Sequence, residues 1–319
     1  MTRVAILDDY QNVAVGMADW KSLGHGVSVQ AFHDHLTDQE KLAERLSKFE
    51  VLVVMRERTP LRAALLEKLR ELKLIVTTGW RNASIDVKAA AERGILVCGT
   101  DVVASTTVEL TWGLILALAR HIPREDENMR CGHWQTTVGT GLEGKTLSVL
   151  GLGRLGSRVA AIGKAFGMQV LAWSQNLTAE KASPFGAERV AKEEAFRRAD
   201  FLTVQLVLSS RTRGLIGEAE FAWMKPTAYF INTSRGPIVN EQALIAALSG
   251  RKIAGAALDV YDQEPLPAEH PLRRLDNVVL TPHLGYVTEE NYRQMYAEAV
   301  EDIRGFLEGK PVRIVSATW

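Results

Sequence analysis

Arg235, Glu264 and His283 are the residue types that a proton-coupled hydride transfer needs, and each follows an apolar, β-branched run. Arg235 stands in FINTSRGPIVNEQAL, Glu264 in ALDVYDQEPLP and His283 in NVVLTPHLG. When hydride leaves a carbon that carries a hydroxyl, the hydroxyl proton must leave as well. A base that works near neutral pH is then required, and histidine supplies one. A carboxylate on the other ring nitrogen fixes the tautomer and favours the imidazolium that forms. A guanidinium grips a carboxylate or a developing carbonyl in a forked geometry that lysine cannot match. Singly, the three have plainer readings: a surface ion pair, a turn residue and an exposed imidazole. All three stand past strand ends of one series, where parallel sheets bind ligands, and that favours convergence on one rim.

Hydride chemistry needs a carrier, and SVLGLGRLGSRVAAIGKAFGMQVLAWSQN is suited to hold one. Gly151-Leu152-Gly153-Arg154-Leu155-Gly156 follows a strand ending at Leu150. It opens a helix with Leu155, Val159, Ile162 and Phe166 along one side, and a second strand, Met168 to Trp173, comes next. In that setting the GxGxxG spacing reads as a dinucleotide loop. Gly151 permits the tight turn, Gly153 lets backbone N–H groups approach a pyrophosphate, and Gly156 lets helix and strand pack closely. The helix N-terminus adds partial positive charge. A carboxylate normally ends the second strand and holds the adenosine ribose 2′-hydroxyl. Here stand Ser174, Gln175 and Asn176. Nothing there repels a 2′-phosphate and no arginine attracts one. NAD and NADP both stay open; the nearest cation, Lys181, lies in a loop, and that weighs toward NAD.

The rest of the chain must position these residues. Its 319 residues suit two domains, and 46% hydrophobic with 24% charged is the composition of a soluble globular protein. Lys+Arg and Asp+Glu are equal at 38 each, with no dense basic tract, which argues against nucleic acid and anionic membrane as partners. No apolar run reaches the length of a bilayer span, and the N-terminus enters a strand at Val4 with no room for a signal peptide. Cys98 and Cys131 lack zinc or redox spacing. Together these imply a cytoplasmic protein. Short strands alternate with helical patterns in two series, RVAIL to ILVC and TLSVLGLG to NVVLTP, the mark of two doubly wound parallel α/β units. TTVELTWGLILALARHI, apolar on nearly all sides, reads as a buried linking helix. PREDENMRCGHWQTTVGTG, polar and without period, reads as an arm. A closing helix from Glu289 to Leu307 carries Tyr292, Met295, Tyr296, Ala299, Ile303 and Phe306 on one face.

The glycine loop, NTSRGPIVNEQALIAAL, AGAALDVYDQEP and NVVLTPHLG, in this order, resemble the D-isomer-specific 2-hydroxyacid dehydrogenase family over nearly the whole chain. The resemblance implies a flavodoxin-like substrate domain (residues 1–100 plus 289–319), a Rossmann NAD(P)-binding domain (101–288), and an active-site cleft between them. It implies His283 as acid/base, Glu264 as its partner and Arg235 as the substrate-orienting cation, with interconversion of a D-2-hydroxy acid and its 2-oxo acid as the reaction. Gly151, Gly153, Arg154, Leu155, Gly156, Ser174 and Thr233 would hold the cofactor, and Asp259 would contact the nicotinamide carboxamide. A homodimer built on the cofactor domain, with Pro123 to Gly141 as intersubunit arm, is implied as well. TTGWRNASID matches the substrate loop with Gly79 in place, though Trp80 and Arg81 are not its commonest residues. Arg81 and Arg56 could add cations that suit a second acidic group on the substrate; salt bridges within the domain are the plainer reading. Val207 stands where a proline is common.

Other residues invite less. His25, His33 and His35 lack a carboxylate–histidine constellation, so no metal is expected. Glu109 is expected as a structural hydrogen-bonding group, and Trp112 and Trp134 as packing residues. Two alternatives stand beside the dehydrogenase: a dinucleotide-sensing corepressor-like scaffold, which could retain all three residues, and a phosphite- or formate-type dehydrogenase, with the Glu264 partner disfavouring formate.

Overall fold

The computed structural model describes residues 1–316. The chain divides into two compact units, residues 1–103 together with the chain from Val287 on, and Ala104–Tyr286.

In the first unit, strands β1 (Thr2–Ile6), β2 (Val27–Ala31), β3 (Val51–Val54), β4 (Leu74–Thr77) and β5 (Leu96–Gly99) form a wholly parallel sheet in the order β2-β1-β3-β4-β5. β3 and β4 are buried at every residue, as strands covered on both faces must be. The crossovers are α1 (Ala14–Met17), α2 (Gln39–Leu46), α3 (Ala63–Lys68) and α4 (Val87–Glu92). α2 starts where the Asp38 carboxylate takes the N–H groups of Glu40 and Lys41. The closing helix, Glu289–Leu307, starts at Thr288, whose hydroxyl takes the Asn291 N–H. It buries Tyr292, Met295, Tyr296, Ala299 and Ile303, as the periodicity predicts, and also Asn291 and Asp302, which apolar spacing does not reveal. Phe306 is only half-buried.

In the second unit, β6 (Thr146–Leu150), β7 (Gln169–Trp173), β8 (Glu188–Arg189), β9 (Phe201–Val204), β10 (Tyr229–Asn232), β11 (Gly255–Leu258) and β12 (Val278–Leu280) form another wholly parallel sheet, ordered β12-β11-β10-β9-β6-β7-β8. The order reverses between β6 and β9, which opens the ligand crevice of doubly wound sheets at their carboxyl ends. β8 goes unseen in the sequence: two exposed residues at a sheet edge carry no hydrophobic pattern. α5 (Ser105–Arg120) is the expected buried helix, with the Trp112 ring packed at a tilt of 30° against Phe166, centroids 4.9 Å apart. The expected irregular arm is half helix: α6 spans Ile122–Arg130, yet buries none of its residues. Lacking an apolar face, it gives no helical signal. Trp134 is 74% exposed, so its expected packing role fails within this chain, and Glu109 is exposed rather than set in an interior hydrogen-bond network. α7 (Arg154–Ala165), α8 (Ala179–Ala182), α9 (Lys192–Arg198), α10 (Glu218–Trp223) and α11 (Glu241–Ser249) complete the crossovers, and the closing helix is α12.

Candidate active site

β10, β11 and β12 are neighbours in the sheet, so the loops leaving their carboxyl ends lie side by side. Those loops carry Arg235, Glu264 and His283. His283 Nδ1 is 2.6 Å from Glu264 Oε2. The Tyr261 N–H donates to the other carboxylate oxygen of Glu264 at 3.0 Å. Glu264 is thus gripped from both sides, and it meets the imidazole through Nδ1. His283 stands in the left-handed backbone region at φ 55°, a conformation of the kind found where a side chain is held for function.

Asp259 explains how that conformation is held. Its buried carboxylate accepts from Thr281 Oγ1 at 2.6 Å, the Leu284 N–H at 2.7 Å and the Gly285 N–H at 2.9 Å. The donors flank His283 on both sides and pin its loop. Burial raises the Asp259 carboxyl above its ordinary value, against these hydrogen bonds and the neighbouring imidazole. Asp259, the residue expected at the nicotinamide carboxamide, accepts through both oxygens within the His283 loop. The Tyr261 hydroxyl lies 3.0 Å from both the Leu258 and Thr281 carbonyls, tying the ends of β11 and β12. The Gly285 carbonyl accepts from Thr106 at 2.8 Å and Thr107 at 2.9 Å, which anchors the loop to the start of α5.

The Arg235 loop is set by Asn232, whose side chain donates to the Arg235 carbonyl at 3.1 Å and accepts the Ser234 N–H at 3.0 Å. The Ser234 hydroxyl donates to the Leu206 carbonyl. Thr233 Oγ1 lies 2.8 Å from Thr111 Oγ1 and receives Gln205 Nε2 at 3.1 Å. Gly236 then joins the Arg235 and Glu264 loops, since a Cβ on it would lie 2.1 Å from the Tyr261 carbonyl carbon. Sequence reasoning passed over Gly236, Tyr261 and Thr281; their one visible signal is adjacency to the three residues of interest.

The glycine loop follows β6 at the reversal of strand order. Gly151 has φ 100°, and its Cβ would lie 2.7 Å from the Gln205 carbonyl; a Cβ on Gly156 would lie 1.9 Å from the Gly151 carbonyl. Both glycines are demanded by the fold. Gly153 differs: nothing lies within 4 Å of its would-be Cβ, and its φ is −86°. The space there fits the close approach of a dinucleotide pyrophosphate, with Arg154 and Leu155 opening α7 beside it. Ser174 follows β7, half-buried, with Gln175 and Asn176 exposed.

In the first unit, Arg56 leaves the end of β3 at φ 50°, its N–H donating to Thr78 Oγ1 at 2.9 Å and its Nη1 to the Thr78 carbonyl at 3.3 Å. The guanidinium occupies the space a side chain at Gly79 would need, with a would-be Cβ 2.0 Å from Nη1. Trp80 is exposed, yet its Nε1 donates to Asp101 at 2.5 Å. Arg81 is exposed. Arg56 and Gly79 are therefore brought together. His33 and His35 face Asp9 and Asp8, at 3.4 and 2.8 Å.

Residues 112–285 match the model of the NAD-binding domain of the D-isomer specific 2-hydroxyacid dehydrogenases. A glyoxylate reductase of Aeropyrum pernix is 42% identical over 77% of this chain and 76% of its own length. A D-3-phosphoglycerate dehydrogenase of Methanocaldococcus jannaschii is 41% identical over 85% of this chain, which spans about half (52%) of that longer protein. A solved phosphoglycerate oxidoreductase of Vibrio cholerae superposes with a TM-score of 0.92 at 40% identity, covering 97% of this chain and 100% of that one. A D-lactate dehydrogenase of Aquifex aeolicus, solved with NAD and lactic acid, gives a TM-score of 0.79 at 27% identity over 96% of each chain. With that match to the family model, and relatives above 40% identity over most of its length, the chain belongs to the D-isomer specific 2-hydroxyacid dehydrogenase family.

Proposed function

We propose that this chain interconverts a D-2-hydroxy acid and its 2-oxo acid with a nicotinamide dinucleotide. The observation that carries the reading is the 2.6 Å contact between His283 and Glu264 at the end of β12. When bound, the nicotinamide supplies the carbon that accepts or returns hydride. In the oxidation direction, His283 Nε2 takes the hydroxyl proton of the substrate as hydride leaves the same carbon, and the C–O single bond becomes a carbonyl. Glu264, facing Nδ1, stabilises the imidazolium so formed. Arg235 orients the substrate carboxylate through its guanidinium. Arg56 and the Gly79–Trp80 loop, with Arg81, are the further residues we assign to the substrate.

NAD is the reading we favour for the cofactor. Ser174, Gln175 and Asn176, rather than an arginine or lysine, follow Trp173. Lys192, over the Trp173 ring at 6.0 Å, is already held by Glu220 at 2.7 Å and the Leu215 carbonyl at 2.9 Å. The homodimer rests on α6 and the segment after it. α6 buries nothing, and Met129, Trp134 and Val138 are exposed, the last two by 74% and 93%. Such apolar surface on an arm is suited to a second copy.

The test is oxidation of NADH and NADPH against glyoxylate, hydroxypyruvate, pyruvate and bulkier 2-oxo acids, with His283→Ala as control. Turnover abolished in that variant supports the reading. Dinucleotide binding without turnover on any of these acids would point to the scaffold instead.

A further inference from the structure

One buried carboxyl group takes no part in the chemistry above. Asp302, inside α12, has no exposed surface. Its Oδ1 accepts from Arg313 Nε at 3.0 Å, while its Oδ2 is buried with no hydrogen-bond partner among the described residues. Arg313 also donates to the Glu298 carbonyl at 2.8 Å and to Glu301 at 2.9 Å, from a left-handed backbone at φ 50°. From there the chain runs antiparallel to the edge of β5. The Gly99 N–H donates to the Arg313 carbonyl at 3.0 Å, the Val315 N–H to the Val97 carbonyl at 2.8 Å, and Ile314 bridges to Cys98. Val315 enters the core and Cys98 is fully buried.

We propose that residues 313–315 are a latch on β5, closed while Asp302 carries a proton and loosened when it loses one, so that rising pH uncovers Cys98. With the tail closed, burial outweighs the attraction of Arg313, and Glu298 and Glu301 add repulsion; together they push the Asp302 carboxyl up to about 7. With the tail open, the carboxylate meets water and returns toward its ordinary range. Closure therefore binds a proton, and the closed form loses stability as pH rises from that range through about 7.

The groups facing Asp302 are Arg313 from the tail, Glu298 and Glu301 from α12, and Cys98 from β5. Burial, and then Asp302, push the Cys98 thiol up to about 12. α1 and β4, which also pack on α12, bring no titratable side chain, and the one-turn helix Trp20–Leu23 brings only the exposed Lys21. The latch reaches the loop of Gly79. A Cβ on Gly99 would lie 3.1 Å from the Gly79 carbonyl and 3.2 Å from both Trp80 Cα and a Val315 methyl. Gly99 is thus held between tail and loop, and opening one loosens the support of the other.

Cys131→Ser leaves Cys98 as the sole thiol. The rate of Cys98 modification by a maleimide is measured from about pH 5.5 to 8, with and without Asp302→Asn; the ratio of the two rates cancels the pH dependence of the reagent. The ratio is expected to climb by about tenfold or more toward pH 7 and then level. A ratio flat within about twofold overturns the latch, because linkage demands the climb. Should Asp302→Asn fail to fold, hydrogen exchange in the unaltered chain decides. After correction for base catalysis, the Gly99 and Val315 amides must open increasingly with pH relative to Ile75 and Val76 in β4; parallel behaviour rejects the proposal.

Discussion

Gly236→Ala tests how the two loops of the site are joined. Gly236 has no left-handed φ, so alanine meets no backbone objection. The obstacle is space: a Cβ there lies 2.1 Å from both the carbon and the oxygen of the Tyr261 carbonyl and 2.6 Å from the Asp262 nitrogen. An ordinary contact begins near 3.4 Å, so relief requires about 1.3 Å of movement (3.4 − 2.1) between two backbones that cannot swing aside as a side chain would. On one side of that gap stands Arg235; on the other, Tyr261, whose N–H holds Glu264. Displacement of about 1 Å in a reacting constellation costs on the order of 10²-fold in rate. Overpacking of this kind costs about 1–3 kcal/mol in stability. We expect kcat/KM for reduction of the preferred 2-oxo acid to fall about a hundredfold, with Tm lowered by several degrees and dinucleotide affinity kept. Titration of NADH by its fluorescence, alongside steady-state rates, separates these. Activity within twofold of the parent would show that the loops are not coupled through Gly236; activity and affinity falling together would mean general unfolding.

Gly153→Ala should leave Tm unchanged, because its Cβ points into open space, yet weaken dinucleotide binding by tenfold or more; equal affinity in calorimetry would deny that the space is kept for a ligand. Glu264→Gln keeps the shape of the His283 contact and removes its charge, so kcat/KM should fall by about 10²–10³ with little change in Tm, and full activity in steady-state assays would remove Glu264 from the mechanism. Asp302 has a folded-state value raised from 3.8 to about 7, so its favourable contribution is complete below the unfolded value and is lost as pH rises through about 7. Urea unfolding should therefore find Asp302→Asn gaining on the parent between pH 5 and 7.5, by about 1–2 kcal/mol at the upper end; a constant difference across that range contradicts the assignment. Trp134→Ala, on the exposed arm, should shift light-scattering mass from dimer toward monomer without lowering Tm of the isolated subunit, and an unchanged mass would argue against the arm as the dimer contact.

Much of this molecule is legible in residue order. Strand and helix periods depend on local spacing, so the eleven strands of the two apolar series are all present, and Glu289–Leu307 is the helix that its apolar face indicates. The glycine spacing identifies a dinucleotide loop for the same reason: turn, close approach and helix packing are demands on neighbours in sequence. Elements without a hydrophobic pattern stay hidden, as β8 and α6 do. What tertiary structure alone decides is contact between distant residues. The pairing of Glu264 with His283, which along the chain only the resemblance implies, forms because β11 lies beside β12, and the pinning of His283 by Asp259 follows from the same adjacency. That Gly153 is spare within the fold while Gly151 and Gly156 are not depends on Gln205 and on the path of the loop itself. The burial of Asp302 against Arg313 depends on a tail returning to β5. Order along a chain states which groups are present and how nearby ones can bond; only packing brings separated groups within hydrogen-bond reach, where their energies change enough to matter.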